Sequence, residues 1–188
     1  MSSFSIFEEN GLGLLRDNRV RLVEHNPNWS KVFDVESKRI LNALNLDSLK
    51  LYHCGSTAIT GIVAKPILDI VGEVKNLDEL DKKKNALVAI GYEYKGEYGI
   101  EGRRYSVLYN EDKTIGYSHL HIFKSGSSEL FNHVLFKDYL QQNFDAALRY
   151  ETVKKSLDVP RNEYSDAKTK NILELVEEAK SYFSKFVY

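Results

Sequence analysis

Gly55, Ser56 and, thirteen residues on, Asp69 stand in the stretch LYHCGSTAITGIVAKPILDIVGEV at a spacing that can do phosphate chemistry. Gly55 has no Cβ, so the backbone can turn tightly there and come close to a ligand. Ser56 offers a hydroxyl and a cap for a following helix, and Thr57 is grouped with it. A helix start with open N–H groups suits a polyphosphate. Asp69 lies between Ile67, Leu68, Ile70 and Val71, a run that reads as a strand buried on both faces. A carboxylate placed there is costly unless it is paired or holds a cation. Mg2+ or Mn2+ bridging Asp69 and a phosphate at the Gly-Ser turn is the layout of a nucleotidyltransferase core. The plain alternative is a turn followed by one buried Asp bonded to backbone.

Transfer of a nucleotidyl group usually uses two carboxylates two residues apart on one strand, so that both point the same way and hold metal together. Here the second place is Val71. Glu73 shares the Asp69 face, but four residues of strand separate them by about 13 Å, too far to share one ion. His119 and His121 are two apart on a predicted strand, which puts both rings on one face about 6.6 Å apart. Such a pair can share a metal, or one ring can act as acid or base. Aromatic packing with backbone hydrogen bonds explains a His-x-His pair as well. The expectation is that this strand lies beside the Asp69 strand and supplies what Val71 lacks, with Asp69, His119 and His121 catalytic and Asp69 and His121 binding metal. Glu97 and Glu101 are poorer candidates for the missing carboxylate.

Phosphate has further candidate partners. His53, two residues before Gly55, can donate a hydrogen bond or can be a satisfied structural histidine. Lys65, at the entry to the Asp69 strand, can meet a phosphate or remain a surface lysine. Arg103 and Arg104 are adjacent on a strand and point to opposite faces, so only one can enter the site. That one can clamp a phosphate through its guanidinium fork, leaving the other for a surface salt bridge.

The run His53 to Asp69 carries every fixed position of the pattern His-x-Gly-Ser-Thr-Ala-x-x-Gly-x-x-Ala-Lys-Pro-x-x-Asp, and in this it resembles the GrpB family. RLVEHNPNWSKVF, GIEGRRY from Gly99 to Tyr105, HLHIFKSGS from His119 to Ser127, FKDYL from Phe136 to Leu140, and Tyr164 with Lys168 follow in the family's order. The likeness spans about residues 19 to 185. It implies a nucleotidyltransferase-like fold of mixed α+β class and a nucleotide-binding role. Three functions fit the residues: a metal-dependent nucleotidyltransferase using a nucleoside triphosphate, a domain that binds a nucleotide or phosphorylated small molecule without chemistry, and a metal-dependent phosphohydrolase using His119 or His121.

Composition bounds the partners. Across 188 residues, 26 Lys and Arg oppose 27 Asp and Glu for a net charge of -1, so no general nucleic-acid-binding surface is indicated. The single Cys54 excludes an internal disulfide framework and a multi-cysteine zinc site. No run has membrane-spanning length and no signal peptide is evident, which makes the cytoplasm the default location.

Positioning falls to the following elements. Residues 1–18 lack a period and read as a loosely held arm, and residues 19–188 read as one domain. Arg19 to Glu24 reads as a short edge strand or a lead-in to a helix from Pro27 to Leu44, in which Trp29, Val32, Phe33, Ile40 and Leu44 form an apolar stripe. A strand over Leu49 to Cys54, a short helix, and the Asp69 strand precede a helix over Asn76 to Ile90. Gly91 stops that helix, and antiparallel strands follow to Phe123. Helices from Ser127 to the end then form a C-terminal cluster against a mixed β-sheet. Near the start of the last helix Tyr164 and Lys168 share a face and can cover the mouth of the site, and its apolar stripe runs from Ile172 to Phe186.

Overall fold

Alternation in two strands places the candidate residues. The computed structural model describes residues 4–185. In strand β3 (Leu68–Val74), Leu68, Ile70, Gly72 and Val74 turn to one face of the sheet, while Asp69, Val71 and Glu73 turn to the other. The first four are all buried, whereas Asp69 and Glu73 keep partial exposure. The chain reaches β3 through α1 (Ser5–Glu8), β1 (Leu14–Leu15), α2 (Trp29–Leu44) and β2 (Lys50–Cys54). After it come α3 (Leu77–Lys82), α4 (Lys84–Ala89), β4 (Tyr92–Tyr94), β5 (Arg103–Tyr109), β6 (Ile115–Lys124), α5 (Ser128–Gln142), α6 (Phe144–Ser156) and α7 (Tyr164–Ser184).

The strands form one six-stranded mixed sheet in the order β2-β3-β6-β5-β4, with β1 extending the β6 ladder. Only β3 and β6 run parallel; the other pairs are antiparallel. That parallel pair needs a long crossover, which α3, α4, β4 and β5 provide. On one face the sheet packs on α2, α3 and α4 through Trp29, Val32, Ile40, Leu44, Leu80 and Leu87, joined by Leu68, Ile70 and Val74. Trp29 is therefore core, its indole N–H donating to the Asn10 carbonyl. The other face carries Cys54, Val71 and Phe123 beneath Leu130 of α5. A separate apolar cluster binds α5, α6 and α7 to Ile59 and Ile62, which follow the Gly-Ser turn. The helical cluster is thus tied to the segment leading into β3. The mixed α+β class, mixed sheet and C-terminal helical cluster are as expected.

Three local expectations change. The N-terminal segment is not loosely held over the residues described: Phe7, Leu12 and Leu14 are buried, Gly13 donates to the Pro66 carbonyl, and Leu14 pairs with Gly116. Its helix has four residues and its strand two, too short for either period to register. Of Arg19 to Glu24, only Val23 pairs, as an isolated bridge to Ala64. The helix over Asn76 to Ile90 is two helices with a break at Lys83, where Lys82 to Asn85 are all exposed and supply no apolar contact to hold a continuous turn. Phe186 lies outside the described residues.

Candidate functional site

Parallel pairing of β3 and β6 sets Asp69 against His119 and Val71 against His121. The imidazole of His121 therefore occupies the level of the sheet where a second carboxylate would stand. His119 Nδ1 pairs with Asp69 Oδ1 at 3.1 Å, and donor atoms of Asp69, His119 and His121 all lie within 4.8 Å of one another. On the far side of β6, Tyr105 of β5 stands opposite His121 with ring centroids 4.8 Å apart, and it meets His119 edge-on at 5.8 Å. His133 of α5 closes on His121 from above at 5.8 Å.

The Gly-Ser turn abuts the same carboxylate because Cys54, the last residue of β2, pairs with Asp69. Gly55 has φ +66 and ψ −173, a conformation that is essentially restricted to glycine. A Cβ on it would lie 2.3 Å from Asp69 Oδ2. Glycine is thus required twice, by the backbone and by the carboxylate packed against it. Ser56 opens a single 3-10 turn, Ser56–Ala58, and not the capped helix expected. Thr57, Ile59, Thr60, Ile62 and Val63 are β-branched and Gly61 interrupts them, so the segment has little helix propensity. The Ser56 side chain meets Tyr150 of α6.

Charge in the site is unevenly matched. Burial would raise the Asp69 pKa, but the His119 hydrogen bond and positive charge nearby, Lys65 included, bring it down to about 2. Burial pushes His121 well below the ordinary histidine range, so its imidazole is neutral and able to ligate. The Asp69 and His119 side chains keep 35% and 26% exposure, so a solute can reach them. One carboxylate and two imidazoles so placed fit a divalent ion. Two imidazoles favour a transition ion over Mg2+, which takes oxygen ligands, so Mn2+ fits the donors better.

The remaining candidates divide by sheet face. Arg103 points to the His121 side; only 7% of it is exposed, its guanidinium donates to the Glu97 and Tyr98 carbonyls, and Nη1 lies 3.4 Å from His121 Nδ1. Arg104 points to the opposite face and makes a bidentate pair with Asp81 at 2.7 and 2.8 Å, which removes it as a phosphate ligand. His53 is likewise not brought to the Asp69 face. It pairs with Ile70, stacks on Phe33 of α2 at 5.2 Å and contacts Thr57 Oγ1 at 3.0 Å, while burial holds its pKa down to about 4. Its place is to brace the turn, and Thr57, 2% exposed, is taken up by that contact. Lys65 sits beside Tyr164, where burial, aided by Lys168, lowers its pKa to about 8 although the Asp69 charge raises it. Glu73 is held by Tyr52 and Lys50, and Glu97 accepts from Gly102 N–H, so neither joins Asp69. Two surface hollows, one between α5 and α7 at Tyr139 and Glu178 and one over β2 at Tyr52 and Phe131, do not include the site.

Tyr105, His133, Tyr150 and Lys154 are neighbours that sequence reasoning missed. Alternation along β5 carried a signal for Tyr105; the others come from helices whose docking no local pattern reveals.

The GrpB protein family profile matches residues 19–178, most of the chain. The chain belongs to the GrpB family. It is 32% identical over 168 residues to the UPF0157 protein YqkA of Bacillus subtilis, covering 87% of this chain and 48% of YqkA, so it spans about half that relative's length. It is 30% identical over 164 residues to the UPF0157 protein SCO7215 of Streptomyces coelicolor, covering 85% of this chain and 84% of the relative. The crystal structure of conserved protein GrpB from Enterococcus faecalis aligns with a TM-score of 0.78 at 32% identity, over 87% of this chain and 99% of that one. GrpB sequence and GrpB fold thus coincide. No helix among the described residues is long and apolar enough to cross a membrane.

Proposed function

We propose that this GrpB protein is a metal-dependent nucleotidyltransferase that acts in the cytoplasm on a nucleoside triphosphate and an acceptor still to be found. The observation that carries this reading is the register of β3 and β6, which gathers Asp69, His119 and His121 within 4.8 Å beside the Gly55 turn. Asp69 and His121, with His119 as third donor, would hold Mn2+ or, less favourably, Mg2+. Bound there, the ion would supply Lewis-acid stabilisation of phosphoryl charge. Gly55 lets the phosphate approach the backbone and Ser56 offers its hydroxyl. Lys65 and Arg103 contribute positive charge that offsets what accumulates in the transition state. Tyr105 and His121, with ring centroids 4.8 Å apart, form one wall of the site.

A second reading, binding without transfer, is favoured by one observation: Asp69 is the only carboxylate in the donor set. Thermal shift with each nucleoside triphosphate, with and without Mn2+ or Mg2+, followed by a pyrophosphate assay with candidate acceptors, separates the two. Transfer predicts stabilisation that needs metal and nucleotide together, and pyrophosphate release that falls at least 100-fold in Asp69→Ala. Stabilisation with no pyrophosphate from any acceptor leaves the binding-only reading. No stabilisation by any triphosphate removes both.

A further inference from the structure

A group of lysines from three separate elements lies near the Gly-Ser turn. Lys65 comes from the segment before β3, Lys154 from α6 and Lys168 from α7. The Nζ atoms of Lys65 and Lys168 lie 5.0 and 4.8 Å from the centroid of one buried ring, Tyr164. Lys154 is 2% exposed, its Nζ lies 4.7 Å from the Tyr150 ring, and it donates to the Val63 carbonyl. Tyr150 in turn contacts Ser56, and the Tyr164 hydroxyl reaches the Lys154 carbonyl at 3.5 Å. The two rings therefore connect all three lysines to the Gly-Ser turn.

Among the described residues, none of the three ammonium groups has a carboxylate within ion-pairing distance. Burial lowers the pKa of Lys154 to about 7 and that of Lys65 to about 8, and it lowers Lys168 too; the Lys168 charge works in the same direction on the other two. The Asp69 charge opposes that lowering at Lys65 and Lys168, and the Glu151 charge opposes it at Lys154. Lysines that only packed the fold would be paired or would extend to water. Three that converge with no carboxylate at ion-pairing distance suit an anion of several charges, which would bring back the solvation that burial removed.

Building on the nucleotidyltransferase reading, we propose that Lys65, Lys154 and Lys168 form a subsite for the outer phosphates of a triphosphate, selecting a polyphosphate ligand over a phosphate monoester. The inner phosphate then lies toward Gly55 and Ser56, and the outer ones lie toward α6 and α7.

Calorimetric titration with inorganic tripolyphosphate, orthophosphate and ATP, in chelator so that no metal takes part, tests the subsite by itself. Wild type is expected to bind tripolyphosphate and ATP at least tenfold more tightly than orthophosphate. Lys168→Gln and Lys65→Gln, at partly exposed positions and with their folds checked by circular dichroism, should each weaken tripolyphosphate at least tenfold. Lys170→Gln, which removes an exposed lysine charge from the same helix α7, should leave it unchanged. Lys154→Met, with its fold checked by circular dichroism, should behave as the other lysine variants do. Equal affinity for tripolyphosphate and orthophosphate, or wild-type binding by Lys168→Gln and Lys65→Gln, overturns the subsite. Because no metal is present, tripolyphosphate binding survives if the metal reading fails. Mn2+ binding at Asp69 survives in the same way if the lysine subsite fails.

Discussion

Gly55→Ala is expected to lower stability by roughly 2–4 kcal/mol and to remove Mn2+ binding in the same variant. Two costs add. An alanine at φ +66 and ψ −173 sits in a region essentially reserved for glycine, at about 1–3 kcal/mol. The new Cβ would also lie 2.3, 2.8 and 2.9 Å from Oδ2, Cβ and Cγ of Asp69, a residue whose backbone the sheet fixes from both sides. Either the turn moves or the carboxylate does, and each movement breaks the site. For a chain of this length the loss corresponds to a melting temperature lower by about 4–16 °C, readable by scanning fluorimetry. Steric coupling also predicts non-additivity: Gly55→Ala combined with Asp69→Gly, which removes the obstructing side chain, should lose less than the two single changes summed. Simple additivity would mean that the turn and the carboxylate do not touch.

The second large effect concerns the metal-ligand candidates. Asp69→Ala is expected to abolish Mn2+ binding, because it removes the one anionic donor and leaves two imidazoles among cationic neighbours. His121→Ala should weaken Mn2+ at least 100-fold. It removes a donor that is neutral in the folded protein and so ligates without releasing a proton. His119→Ala should cost about tenfold or more, from the lost donor and from the 3.1 Å contact that orients Asp69. Arg104→Ala, on the other face and bound to Asp81, should leave Mn2+ affinity unchanged. Titrations by electron paramagnetic resonance of unbound Mn2+ read all four. If His121→Ala matches wild type while Asp69→Ala does not bind, His121 is no ligand.

Much of this arrangement was legible in the sequence because it follows from period two. Alternation placed Asp69 with Val71, paired His119 with His121, and split Arg103 from Arg104; the structure has each of these. The β2–β3 register, which no period within one strand reveals, puts His53 on the face away from Asp69. Nearness to Gly55 along the chain obscured that, and His53 braces the turn from below. The helix expected after Ser56 is only a 3-10 turn because the β-branched run that follows has little helix propensity. Burial of Phe7, Leu12 and Leu14 depends on Tyr117 and on the β1–β6 pairing, partners more than 90 residues away that no local window contains. Lys154 was invisible for the same reason. On α6 it reads as one more solvated lysine, and only the docking of α6 and α7 on the turn encloses it.

The central claim is that one cation would join Asp69 to a phosphate held at the Gly55 turn, and the coupling between metal and nucleotide tests it most directly. Mn2+ affinity should be measured with and without saturating ATP, in wild type and in Asp69→Ala. ATP is expected to tighten Mn2+ binding at least tenfold in wild type, and Mn2+ to tighten ATP by the same factor, as linkage requires. That coupling should fall, in Asp69→Ala, to the affinity of ATP itself for the ion. Mn2+ and ATP binding to wild type without influencing each other, or the same coupling persisting in Asp69→Ala, would contradict the account.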